Sequence, residues 1–280
     1  MAVYFVTGKL GSGKTLVTVG AIKDRLKQNR KVATNLDINV EHIMKLNNKT
    51  SITRLPDKPR PVDLTNLGYG SQSVEEETYG LIVLDECGTW LNSRTWNDKE
   101  RADFVDYMLH ARKYGWDVMF IIQDISVVDK QIRLSMCEHL VVCKRLDRLQ
   151  IPILSAFTKI FGFKVRFPKI HRAIVFYGET TQDLVADKWT YRARDLYPAY
   201  DTRQIFKMDT ITQGETETDM RSTYCLLPRW HVEGRYHVAK KLPLPRNFHQ
   251  LLVYPTWLLL QLIGKISKAP SRSGGALRSS

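Results

Sequence analysis

The stretch GKLGSGKT, residues 8–15, restricts the fold more than any other part of the chain. It meets the pattern GxxxxGK[ST] through Gly8, Gly13, Lys14 and Thr15, and its phosphate-cradling mechanism requires a strand before it and a helix after it. Residues 2–7 (AVYFVT) form a short β-branched and aromatic run. Residues 16–30 place apolar side chains at Leu16, Val17, Val19, Ala21, Ile22 and Leu26 with helical spacing. Glycines at 11 and 13 let successive backbone N–H groups point into one concavity, and the positive end of the helix adds to it. Gly8, Lys9, Leu10, Gly11, Ser12, Gly13, Lys14, Thr15 and Leu16 are therefore expected to hold a nucleotide such as ATP. Lys14 would neutralise the β- and γ-phosphates and Thr15 would ligate Mg²⁺.

A second motif follows in LIVLDE, residues 81–86. Its apolar strand ends in two carboxylates, which suits Asp85 to the metal and Glu86 to activating a hydrolytic water; a strand-end cap is the plain alternative. Gln123 ends another apolar strand, FIIQD, at the side of a parallel sheet where ligands sit, or it is simply a surface terminus. Arg94, Arg112 and Arg133 are candidates for completing a neighbouring subunit's site, with Arg133 the first choice; a solvated helix face is the plain alternative for each. The catalytic set read from the sequence is thus Lys14, Asp85, Glu86, Gln123 and Arg133, with Thr15 and Asp85 on the metal.

Further strands are expected at residues 31–35, 118–122, 140–143 and 173–177, with helices at 98–114 and before 137. Strands apolar on both faces and alternating with helices predict an α/β fold, a P-loop NTPase (ASCE-type) parallel sheet sandwiched by helices. LPDKPRP, residues 55–61, is incompatible with a helix interior or central strand. Residues 209–222 read as a polar linker. Near the carboxyl end LLVYPTWLLLQLIG, residues 251–264, is the strongest apolar segment. It is short for a span of about 20 residues and contains Pro255. A tilted span, an interfacial anchor and a buried helix in an oligomer all fit it. The expected division is an ATPase domain at 1–205, a basic juxtamembrane region at 206–247, a candidate membrane helix at 248–268 and a flexible tail at 269–280.

The chain of 280 residues carries a formal charge of +13, so its surface favours polyanions such as nucleic acid or anionic lipid. Its four cysteines form no CxxC pair, which reads as buried thiols in a reducing compartment. The amino terminus has no secretory signal pattern. Residues 151–172 mix apolar, aromatic and basic side chains, suited either to a hairpin on the core or to a membrane or nucleic-acid surface.

Several blocks carry a resemblance: MAVYFVTGKLGSGKT, LIVLDECGTWLNSRTWNDKER, LHARKYGWDVMFIIQD, VDKQIR and CKRLDR. Together they are similar to the filamentous-phage gene I virion assembly and export ATPases, of the zonula occludens toxin (Zot)-like family, over residues 1–201. The resemblance implies a ring-forming motor ATPase at the host inner membrane with its ATPase domain cytoplasmic. It implies as partners a second copy of the chain, the phage major coat protein, single-stranded phage DNA with its packaging signal, an outer-membrane secretin, host thioredoxin and inner-membrane lipid. ATP turnover would drive coat-protein extraction and DNA export. A soluble nucleotide-dependent DNA-binding translocase is the alternative reading.

Overall fold

The computed structural model describes residues 2–89, 91, 98–146, 169–206, 210–213, 216–219 and 222–237. Its centre is the strand predicted before the glycine loop, β1 (Val3–Thr7), buried because Phe5 points to one face of the sheet and Val6 to the other. Helix α1 (Lys14–Lys27) leaves the loop and packs Leu16, Val19, Ile22 and Leu26 onto the Val6 face. It stops three residues short of expectation, where Asn29 turns into the left-handed region with φ 58°.

The remaining strands are β2 (Val32–Thr34), β3 (Ile52–Arg54), β4 (Gly80–Leu84), β5 (Trp116–Ile121), β6 (His139–Arg145), β7 (Ile170–Tyr177), β8 (Val185–Arg192), β9 (Thr210–Gln213), β10 (Thr216–Asp219) and β11 (Tyr224–Leu226). Nine of the eleven form one sheet in the order β11-β3-β2-β4-β5-β1-β6-β7-β8. The run from β3 to β6 is parallel throughout, and the antiparallel β11 and β7–β8 flank it. One strand, β5, therefore stands between the glycine-loop strand β1 and the carboxylate strand β4. Parallel order sends the carboxyl ends of β1, β4 and β5 to one rim, where the loop, Asp85–Glu86 and Gln123 all emerge.

Helices cover both faces. On the Phe5 face, α3 (Pro61–Thr65), α4 (Asp98–His110) and α5 (Lys130–Met136) enclose Leu64, Phe104, Met108, Ile132 and Met136 with Phe120 of β5. On the other face α1 is joined by α2 (Val40–Ile43) and the turns at Ala193–Asp195 and Tyr197–Ala199. The 98–114 helix is α-helical to His110, tightens to a 3₁₀ turn over Ala111–Tyr114 and ends at Gly115, whose φ of 68° suits glycine.

Three differences from the sequence reading stand out. The polar stretch 209–222 contains the antiparallel pair β9–β10. Strand β8 is exposed over its first half and turns only Trp189 and Tyr191 onto the core, so its apolar alternation is confined to two positions. The compact unit continues to Tyr236, because β11 pairs with the edge strand β3. Residues 238–280, which include the candidate membrane helix at 248–268 and the tail, lie outside the described residues, as do 151–168 and Arg94. Among the described residues no helix is long and apolar enough to cross a membrane.

Candidate functional site

A cavity of about 610 Å³ opens on the rim where β1, β4 and β5 end. The glycine loop forms one wall. Gly8, Gly11 and Gly13 take φ of 143°, 70° and 89°. At Gly13 a Cβ would also collide with the His171 imidazole, so positive φ and close approach both demand glycine there. His171, on β7 and 1% exposed, donates from Nδ1 to the Ser12 carbonyl at 3.1 Å and so supports the loop from beneath. Lys14 turns its Nζ back onto the Gly8 carbonyl at 2.9 Å, inside the curve of the loop.

The two sequence motifs meet directly. Thr15 Oγ1 donates to Asp85 Oδ2 at 2.9 Å, a span of 70 residues closed by the parallel sheet. Burial drives the Asp85 carboxyl above the ordinary aspartate range, opposed by hydrogen bonds from the Glu86 N–H and Thr15 and by the Lys14 charge. Glu86 has φ 57°, an uncommon conformation for a residue with a side chain. Its carboxyl also lies above its ordinary value, through desolvation and then the charges of Asp85 and Asp57. Glu86 and Gln123 both line the cavity, and the Gln123 carbonyl accepts from Thr7 Oγ1 at 3.0 Å, which ties the β5 end to the loop strand.

Two hard oxygens 2.9 Å apart, on Thr15 and Asp85, match the edge of an octahedron whose bonds are about 2.1 Å, the geometry of Mg²⁺. Among the described residues there is no cluster of three or more His, Cys, Asp or Glu able to hold a metal ion.

Of the predicted residues, Leu10, Gly11, Gly13, Lys14, Thr15, Leu16, Asp85, Glu86 and Gln123 line this one cavity. Arg133 does not: it sits on α5 with Nε 2.8 Å from Glu179 in an ion pair. Arg112 pairs at the surface with Glu76 at 3.0 Å. The arginine that does line the cavity is Arg145, at the end of β6, with Nη1 3.5 Å from the Gly11 carbonyl. It ends an apolar strand as Gln123 does, and the same strand-end logic would have found it.

The far wall was not legible in sequence. Residues 197–206 run as a strap that brings Tyr197, Tyr200, Gln204 and Phe206 to the cavity wall. Tyr200 is pushed up to about 12 by burial, then by Tyr197 and Asp85.

A glycine-rich loop between a central parallel strand and a helix, hydrogen-bonded to the aspartate of a strand one place removed, defines the class: an α/β protein of phosphate-loop nucleotide-binding architecture. The model of the Zonular occludens toxin (Zot) family matches residues 2–178, and the chain belongs to that family. The Gene 1 protein of Escherichia phage If1 is 46% identical over 244 residues, 86% of this chain and 67% of that protein. The Gene 1 protein of Enterobacteria phage M13 is 50% identical over 210 residues, 74% of this chain and 60% of that protein. The chain thus spans 60% to 67% of the length of these two relatives. Among solved structures, the N-terminal domain of zonular occludens toxin from Neisseria meningitidis is similar at 15% identity and a TM-score of 0.39, covering 71% of this chain and 98% of that one. At that distance the likeness carries no argument about activity.

Proposed function

We propose that this chain is an ATP-hydrolysing motor for the assembly and export of filamentous phage. The observation that carries the reading is the Thr15–Asp85 hydrogen bond, which sets the phosphate loop and the carboxylate strand within one cavity beside Glu86 and Gln123. ATP phosphates lie along the loop N–H groups, and Lys14 leaves the Gly8 carbonyl to meet the β- and γ-phosphates. Thr15 and Asp85 would hold Mg²⁺, which would supply charge neutralisation at the phosphates when bound. Glu86, its proton affinity raised by burial and by Asp85, orients and deprotonates the attacking water, while Gln123 contacts the γ-phosphate.

The arrangement of Lys14, Asp85, Glu86 and Gln123 around one cavity supports nucleotide turnover. The likeness to the Gene 1 proteins of phages If1 and M13 supports phage assembly as the work that turnover drives. We place the motor at the host inner membrane as a ring of identical subunits acting on coat protein and single-stranded DNA. Secretin and thioredoxin complete the proposed partners, and an arginine from the adjoining subunit completes the site. Arg133 could serve in that role only by leaving Glu179.

Phosphate release by the purified full chain tests the reading. Wild type is expected to turn over ATP and Lys14→Ala to lose at least about 100-fold in rate. Equal rates in the two would remove the assignment.

A further inference from the structure

One buried side chain grips the residue on which the metal and water chemistry depends. Asn35 follows β2 and is wholly buried. Its Oδ1 accepts from the Asp85 N–H at 2.8 Å, while its Nδ2 donates to the Asp85 carbonyl at 3.1 Å and to the Asp57 carbonyl at 2.9 Å. Only a side chain that both donates and accepts can hold one residue's N–H and C=O together; aspartate lacks the donor and leucine lacks both. The peptide so clamped runs into Glu86, whose left-handed backbone depends on the surrounding structure to persist.

The same segment is gripped from the other side by the strap. Gln204 Nε2 donates to the Asn35 carbonyl at 2.9 Å, and its Oε1 accepts from the Asp37 N–H at 2.8 Å. Asp201 N–H donates to the Asp37 carbonyl, Asn39 N–H to the Ala199 carbonyl, and Ile38 bridges to Tyr200. The strap is thus paired with residues 35–39 along its length, and through Asn35 with Asp85.

We propose that Asn35 is the positioning residue for Asp85 and Glu86, and that Gln204 couples the strap to it, so that strap docking sets the catalytic carboxylates. The inference rests on the ATPase reading above. Asn35 is wholly buried, and the Gln204 amide, although it lines the cavity, is spent on the Asn35 carbonyl and the Asp37 N–H, so the mark of the scheme is a fall in kcat with nucleotide affinity kept.

The test measures kcat, the Kd of a fluorescent ATP analogue and thermal melting for the full chain, Gln204→Ala, Asn35→Asp and the double variant. Gln204→Ala is expected to lower kcat about tenfold and Asn35→Asp about 100-fold, the scale set by small misplacement of reacting groups. Kd should stay within about threefold in both. The double variant should be no slower than Asn35→Asp, because residues acting in series do not add. Should Asn35→Asp fail to fold, Gln204→Ala alone carries the test. Wild-type turnover matched by Gln204→Ala, or kcat and affinity falling together, overturns the inference and leaves the ATPase reading standing. A wild-type chain that binds ATP without hydrolysing it overturns both.

Discussion

At the scale of the residue, the site is bought at the expense of stability. Asp85 is 8% exposed, and its folded-state pKa lies above the unfolded value because burial outweighs its hydrogen bonds. A carboxyl shifted in that direction contributes most below its unfolded pKa and loses that contribution as pH rises through the folded one. Ionised Asp85 is therefore a load on the fold at neutral pH. Asp85→Asn keeps partners for Thr15 and the Glu86 N–H, so it should melt a few degrees higher than wild type at neutral pH. The gap should close as the pH falls below the ordinary aspartate range, where the carboxyl is protonated in both folded and unfolded chains; a lower melting temperature at neutral pH would contradict this. Glu86 is raised too, by desolvation first and then by Asp85 and Asp57. As the base it must be ionised, so kcat should fall on acidification while the pH is still above the ordinary glutamate range. An acid limb at or below that range would contradict the assignment.

At the scale of the element, β5 decides whether the motifs meet. It separates β1 from β4, and its Phe120 is fully buried against Phe5 at 5.1 Å and Phe104 at 6.4 Å between ring centroids. Phe120→Ala should cost about 3–5 kcal/mol, read as a lower urea midpoint with an unchanged slope; a shift under about 1 kcal/mol would mean that the β5 packing matters little. The apolar runs of β1, β4, β5 and β6 were legible because strands buried on both faces must be apolar throughout. The loop and Asp85–Glu86 were legible because phosphate chemistry demands those residue types in that spacing. Strands β3 and β11 are three residues long, and β8 turns only Trp189 and Tyr191 inward, too few positions to set a period. Asn35 and Gln204 escaped for a different reason: their importance lies in side-chain hydrogen bonds to backbone groups 50 and 169 residues away, which no local pattern encodes.

At the scale of the whole molecule, the formal charge of +13 and the apolar segment at residues 251–264 bear on where the proposed activity takes place. If that segment anchors the chain, carbonate-washed membranes should retain the full chain and release one ending at Asn247; release of both would favour the soluble DNA-translocase reading. The central claim, that the assembled motifs hydrolyse nucleotide through Glu86, has a more direct test. After incubation of the full-length Glu86→Gln variant with ATP and Mg²⁺, desalting and identification of the retained nucleotide, the account predicts stoichiometric unhydrolysed ATP, with none retained by Lys14→Ala. Retained ADP in Glu86→Gln, formed at the wild-type rate, would contradict it.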